Sequence, residues 1–241
     1  MRVAIVGSGG AGKSVISATL ARVLARRGHT VLAVDLDPNP GMAFSLGLPP
    51  DTAGLPAEAI APNEGGLYGW GLAEGIDLAT AAERFAAEGP DGVRFLASGK
   101  IDRGNHEVTR HLGAVRQIAD AAPTSWDVVG DLEAGTTTPY EGYASFAEQL
   151  VAVVTPSWRS GLAARRLCGL FPDRRLIVVG SQYRDESPHP GLPLSLRVPF
   201  DSALRAAEQQ GRAPIDACPG SPVIEAVTQL ADLLVSEEVA V

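Results

Sequence analysis

The chain has 241 residues, of which 45% are hydrophobic and 20% charged, with a formal net charge of −8. That length fits one α/β domain, and the acidic balance argues against tight nonspecific nucleic-acid binding, which works by neutralising phosphates with Lys and Arg. No apolar run is long enough to cross a membrane, and Cys168 and Cys218, far apart, make neither a disulfide framework nor a two-cysteine metal clip.

From the first residues, Val3-Ala4-Ile5-Val6 reads as a buried strand. Gly7-Ser8-Gly9-Gly10-Ala11-Gly12-Lys13-Ser14 follows directly and completes a G-x-x-x-x-G-K-S phosphate loop. Val15 to Arg27 then places Ile16, Leu20, Val23 and Leu24 at helical spacing. Strand, glycine loop and helix start are the context the motif needs. Backbone N–H groups of Gly9, Gly10, Ala11, Gly12, Lys13, Ser14 and Val15 would surround phosphates at the positive end of a helix dipole. Lys13 would neutralise the outer phosphates, and the Ser14 hydroxyl would be a direct Mg²⁺ ligand. Of 20 Lys and Arg residues, Lys13 and Lys100 are the lysines. A compact ammonium differs chemically from a planar guanidinium fork, so both positions stand out. Strand and loop begin almost at once, which leaves no secretory leader and makes the cytoplasm the expected location.

Thr30 to Val34 is a second strand, ending at Asp35-Leu36-Asp37-Pro38-Asn39. A carboxylate there can face a terminal phosphate and orient an attacking water, or it can cap the following turn. Leu48 to Leu72 is rich in Pro, Gly and Ala and reads as an irregular excursion of a single domain spanning 1–241. Within it, Tyr68 and Trp70 are aromatics of the kind found at partner surfaces. Val93 to Ala97 is a third strand, and Glu107 to Ala121 a helix. Trp126 to Gly130 is a fourth strand, ending at Asp131-Leu132-Glu133-Ala134-Gly135. The position of Asp131 suits a contact to Mg²⁺ through water, as does that of Asp37. Leu150 to Val154, Arg175 to Val179 and Leu194 to Val198 supply three more strands. Helices are expected at Gly161 to Leu170, with Cys168 as a buried small hydrophobe, at Ser202 to Gln210 and at Pro222 to Val235. Continuous Val/Ile/Leu strands alternating with helices predict a mostly parallel sheet of about seven strands covered on both faces. Ligands of such sheets sit beyond the carboxyl ends of the strands, where these acidic motifs fall.

The phosphate loop, Val34-Asp35-Leu36-Asp37-Pro38-Asn39, Asp131-Leu132-Glu133-Ala134-Gly135, Thr155-Pro156-Ser157-Trp158-Arg159-Ser160 and Val198-Pro199-Phe200-Asp201 occur in order. Together they resemble the MinD/ParA-type ATPases of the SIMIBI class, most of all the accessory ATPases that insert nickel into carbon monoxide dehydrogenase. The resemblance implies ATP and Mg²⁺ as cofactors and a homodimer that closes face to face around two nucleotides. It implies a protein partner served by that cycle; no membrane attachment is expected, because the C-terminal segment from Val223 ends in Ser236-Glu237-Glu238 and lacks the basic face of a membrane-surface helix. Lys13 and Asp37 would be catalytic, with Asp37 orienting the attacking water. Gln182, Pro199 and Phe200 would meet the base.

Three departures shape this expectation. Ser8 stands where the family carries a lysine that reaches the partner's nucleotide, so either Lys100, Arg159 or Arg184 replaces it or hydrolysis is slow. Gly104 to His111 lacks the Cys-x-Cys pair of nickel-handling relatives, and Glu107 with His111 reads as an i,i+4 helix pair. Ser181-Gln182 replaces the family's Asn-Lys, although a glutamine amide offers a donor and an acceptor to a base edge. Slow ATP hydrolysis in a dimeric switch is the expected activity. A regulatory module with little hydrolysis, or a small-molecule kinase or synthetase on the same fold, are the alternatives.

Overall fold

The computed structural model describes residues 1–39, 41–49, 52, 54–67, 69–98, 108–135, 139–184 and 191–236. Strand β1 (Arg2–Gly7) leads through the glycine loop into helix α1 (Lys13–Arg26), then β2 (Val31–Leu36) and the short α2 (Met42–Leu46). A hairpin of β3 (Ile60–Leu67) and β4 (Trp70–Leu72) precedes α3 (Leu78–Phe85), β5 (Ala87–Glu88), β6 (Arg94–Ala97) and α4 (Val108–Ala121). The second half runs β7 (Asp127–Leu132), β8 (Gln149–Val154), α5 (Trp158–Leu170), β9 (Arg175–Tyr183) and β10 (Leu196–Pro199). Helices α6 (Ser202–Gln209), α7 (Pro214–Ala217) and α8 (Pro222–Val235) follow.

The main sheet has the order β10-β9-β8-β1-β7-β2-β6-β5. Every pair is parallel except β5 with β6. The seven strands expected from apolar runs are all present, and β5, a two-residue antiparallel edge, is the addition. It is too short to leave a periodic signal. Alternation along β1 divides the interior into two cores. Val3 and Ile5 face the core built with α1, α2 and α8, whereas Ala4 and Val6 face the one built with α3, α4 and α5. All four side chains are fully enclosed, as a strand covered on both faces requires.

The stretch read as irregular chain contains the β3–β4 hairpin, which pairs antiparallel and packs against α4. Glycine makes that packing possible. A Cβ on Gly113 would lie 2.5 Å from the Trp70 carbonyl oxygen, and one on Gly71 would lie 2.3 Å from Gln117 Oε1. Strands built from close backbone approach carry no apolar alternation, so pattern reading passes over them. The Trp70 ring is half-buried under the Arg110 guanidinium, 3.9 Å from its centroid. Tyr68 lies outside the described residues. Cys168 is exposed, not buried. The inner face of α5 is taken by Ser160, Gly161, Ala164 and Leu167, and the residue after Leu167 turns about 100° away from it.

At the far end of α1 the buried Arg22 binds Asp91 at 2.7 Å and also Asp216, tying the helix to the turn before β6 and to α7. Among the described residues no helix is long and apolar enough to cross a membrane.

Candidate nucleotide site

The site grows from the carboxyl ends of the parallel strands. β1 ends at Gly7, whose φ is +144° and where a Cβ would lie 2.3 Å from the Val153 carbonyl oxygen. No other residue type fits there without moving β8. The chain then bends through Gly10 (φ +70°) and Gly12 (φ +88°), both left-handed, which side chains disfavour and glycine accepts.

Helices α3, α5, α6 and α8 begin with capping side chains, from Asp77, Ser157, Asp201 and Ser221 respectively. α1 does not. Gly12 is its N-cap, with no side-chain bond to the first turn. The leading N–H groups of a helix have no intrahelical partner, so this amino end is left open to an anion. Lys13, its first residue, is 7% exposed.

Two aspartates close the other side. Asp35 is wholly enclosed and accepts backbone hydrogen bonds from Asp37 (3.1 Å), Gly41 (3.1 Å) and Met42 (2.9 Å). It therefore organises the turn that carries Asp37 and opens α2. Its carboxyl is raised to about 6, chiefly by burial, against those donors, with the Asp37 charge adding to the rise. Asp37 remains half-buried at the cavity wall, with Oδ1 accepting from the Asn39 N–H at 2.8 Å. A Cβ on Gly41 would lie 3.3 Å from Ser14 Oγ, so this turn sits directly on the start of α1.

Asp131, at the end of β7 and in register with Asp35, is enclosed completely, and neither oxygen has a hydrogen-bond partner among the described residues. Burial, then the Asp35 charge, raises it to about 8; the nearby Ser14 hydroxyl and Lys13 ammonium oppose the rise. The hydroxyl lies close enough to act electrostatically without an ordinary hydrogen-bond geometry. A buried carboxylate with two orphaned oxygens costs stability unless something else satisfies it. With Ser14 and Asp37 it forms an oxygen-only donor set, the kind a hard divalent cation such as Mg²⁺ takes. Among the described residues no group of three or more His, Cys, Asp or Glu is placed to hold a metal ion. His111 lies in the first turn of α4, and residues 104–107 lie outside the described chain.

A single cavity of about 770 Å³ joins these groups to a slot between β9, β10 and α6. Gly9, Gly10, Gly12, Lys13, Ser14, Val15, Asp37, Gln182, Pro199 and Phe200 all line it. Ala11 instead points its methyl into the core, and Asp131 lies behind the wall. Ile16, Val198, Leu204 and Val223 give the slot apolar sides. The Phe200 ring, stacked under the Arg184 guanidinium at 4.0 Å, gives it a flat one.

Glu133 and Ser181, quoted in the sequence motifs without a role, also line the cavity, as do Arg205 and Glu208, which the sequence did not single out. Burial raises the Glu208 carboxyl while Arg205 opposes. Nothing in the pattern of α6 marks its cavity-facing side, because that depends on how the helix leaves Phe200.

Of the cations considered in place of the missing lysine, Lys100 is outside the described residues and Arg184 is stacked on Phe200. Arg159 is exposed at the second position of α5, beside Trp158, which is 68% exposed. Ser8 itself is drawn inward: its hydroxyl is 2.9 Å from that of Ser160, which also accepts from the Thr155 N–H at 3.0 Å.

Comparison with known proteins agrees with this architecture. The chain is 28% identical over 243 residues to the carbon monoxide dehydrogenase accessory protein CooC of Rhodospirillum rubrum, covering 91% of each. Among solved structures it superposes on the septum site-determining protein MinD complexed with Mg-ADP from Pyrococcus horikoshii. There the TM-score is 0.73 at 17% identity, over 99% of this chain and 97% of that one. Cobyrinic acid a,c-diamide synthase from Mycobacterium smegmatis, with bound ADP and magnesium, aligns with a TM-score of 0.62 at 17% identity, over 100% and 96% of the two chains. Residues 3–215 match the CobQ/CobB/MinD/ParA nucleotide binding domain. With that match, an uncapped glycine loop before α1 and paired aspartates at the ends of β2 and β7, the chain belongs to the CobQ/CobB/MinD/ParA family of P-loop nucleotide-binding domains.

Proposed function

We propose that this chain, acting as one domain, is a Mg²⁺-dependent ATP-binding switch that hydrolyses slowly, pairs with a second copy when nucleotide is bound, and serves a protein partner. The observation that carries the reading is the orphaned Asp131 carboxylate, enclosed behind Ser14 and Lys13 at the open amino end of α1. A carboxyl this costly to ionise without a counter-charge fits a site completed by a bound cation. The Mg-ADP of the MinD structure and the ADP and magnesium of the diamide synthase support the choice of adenine nucleotide and metal.

In this reading Gly9, Gly10 and Gly12 to Val15 direct N–H groups at the phosphates, the Ala11 N–H being held by the Ser8 carbonyl oxygen, and Lys13 neutralises their outer charge. Ser14 would hold Mg²⁺ directly, with Asp37 and Asp131 through water; the ion would supply further charge neutralisation where negative charge develops. Asp37, held by the Asp35-organised turn, orients the attacking water. Gln182, Pro199 and Phe200 border the base. Turnover is slow because Ser8 is uncharged and bound to Ser160, leaving the phosphate loop without a second cation for the transition state. Exposed Trp158 and Arg159 at the start of α5 have the composition of a protein contact surface.

Titration calorimetry with ATP or GTP plus Mg²⁺ is the test, with light scattering in ATP and in ADP. Wild-type protein is expected to bind ATP and to double its mass with it, while Lys13→Ala loses affinity at least a hundredfold. Equal heats from wild type and Lys13→Ala would remove the proposal. An unchanged mass in ATP would leave a monomeric nucleotide-binding module. A turnover well above once per minute would exclude the slow switch.

A further inference from the structure

Gln182 combines two features that a base-contacting side chain does not require. It is one of two non-glycine residues with positive φ among those described, at +60°, a conformation that costs energy and is kept where surrounding structure demands it. Its Nε2 donates to the Gly10 carbonyl oxygen at 2.6 Å. A carbonyl only accepts, so the amide nitrogen must be the atom facing Gly10. The other end of the same peptide group is held as well, since the Ala11 N–H donates to the Ser8 carbonyl oxygen at 3.3 Å. The peptide unit joining Gly10 to Ala11 is thereby gripped at both ends, once from β9 and once from within the loop. Ser181, the neighbour of Gln182, lies against the same loop, 3.4 Å from where a Gly12 Cβ would stand.

We propose that Gln182 is a positioning residue for the phosphates: its amide latches the Gly10–Ala11 peptide and presets the loop for a triphosphate, whichever base is attached. The inference rests on the nucleotide reading above and assigns to a slot residue an action on the loop. Gly10 is the most permissive point of the bend, and without the latch the backbone there regains freedom that binding must then remove.

The probes are MgATP, MgGTP and inorganic tripolyphosphate with Mg²⁺, titrated calorimetrically into wild type, Gln182→Ala and Gln182→Glu at pH 8. Loss of one side-chain to backbone hydrogen bond is expected to weaken all three ligands by a common factor of about three to ten in Gln182→Ala. Gln182→Glu keeps the size but cannot donate when ionised, and its loss is expected to be at least as large. Two results overturn the inference alone: tripolyphosphate affinity unchanged in Gln182→Ala while ATP weakens, or Gln182→Glu behaving as wild type. If the wild type binds none of the three ligands, the nucleotide reading falls with it.

Discussion

Asp131→Asn gives the sharpest test of the site's electrostatics, because it can be read without any ligand. In the nucleotide-free fold this carboxyl titrates at about 8, against an ordinary value of 3.8, because it is buried and faces the charge of Asp35. The folded chain therefore keeps a proton that the unfolded chain has already released. Stability is unaffected by this group below about pH 4 and falls as pH rises toward 8. Each unit in that window is worth about 1.36 kcal/mol, so from pH 5 to pH 7 the wild type should lose about 2–3 kcal/mol through this residue. Asparagine cannot ionise and removes that slope, whatever its own packing costs. Urea unfolding at pH 5, 6, 7 and 8, free of Mg²⁺ and nucleotide, measures the difference between the two profiles. Parallel profiles would refute the assignment of Asp131 as an unsatisfied buried acid. Adding Mg²⁺ and ATP should then stabilise the wild type more than the variant at pH 7.

Gly7→Ala should cost about 3 kcal/mol or more, since its Cβ would sit 2.3 Å from the Val153 carbonyl oxygen; an unchanged urea midpoint would show that β8 yields easily. Ser8→Lys gives up one hydroxyl contact to Ser160 and restores a cation to the loop. Phosphate release from MgATP should rise at least tenfold at protein concentrations that favour the dimer. A rate unchanged at high concentration would show that missing charge is not what limits hydrolysis.

Much of the molecule is legible in its sequence. The phosphate loop is local: strand, glycines, lysine and helix lie within Arg2–Arg26, and the backbone demands at Gly10 and Gly12 belong to the bend itself. Fully buried parallel strands leave continuous apolar runs, and all seven so identified are in the sheet. The placement of acidic motifs at strand ends follows from the same alternation. Elements without such runs stayed hidden: β5 for its brevity, and the β3–β4 hairpin because its closeness to α4 depends on glycines and not on side chains.

What tertiary structure alone decided is the state of each polar group. Asp35 and Asp37 are two residues apart and chemically identical. Yet the fold turns Asp35 inward as the acceptor for three backbone N–H groups and leaves Asp37 at the cavity. Asp131 is enclosed with no hydrogen-bond partner meeting ordinary geometry among the described residues, Gln182 is spent on the Gly10 carbonyl, and Glu208 is drawn to the cavity wall from a helix whose sequence does not mark that side. Hydrogen-bond partners, solvent access and neighbouring charge are set by residues distant along the chain, and no pattern within a single segment encodes them.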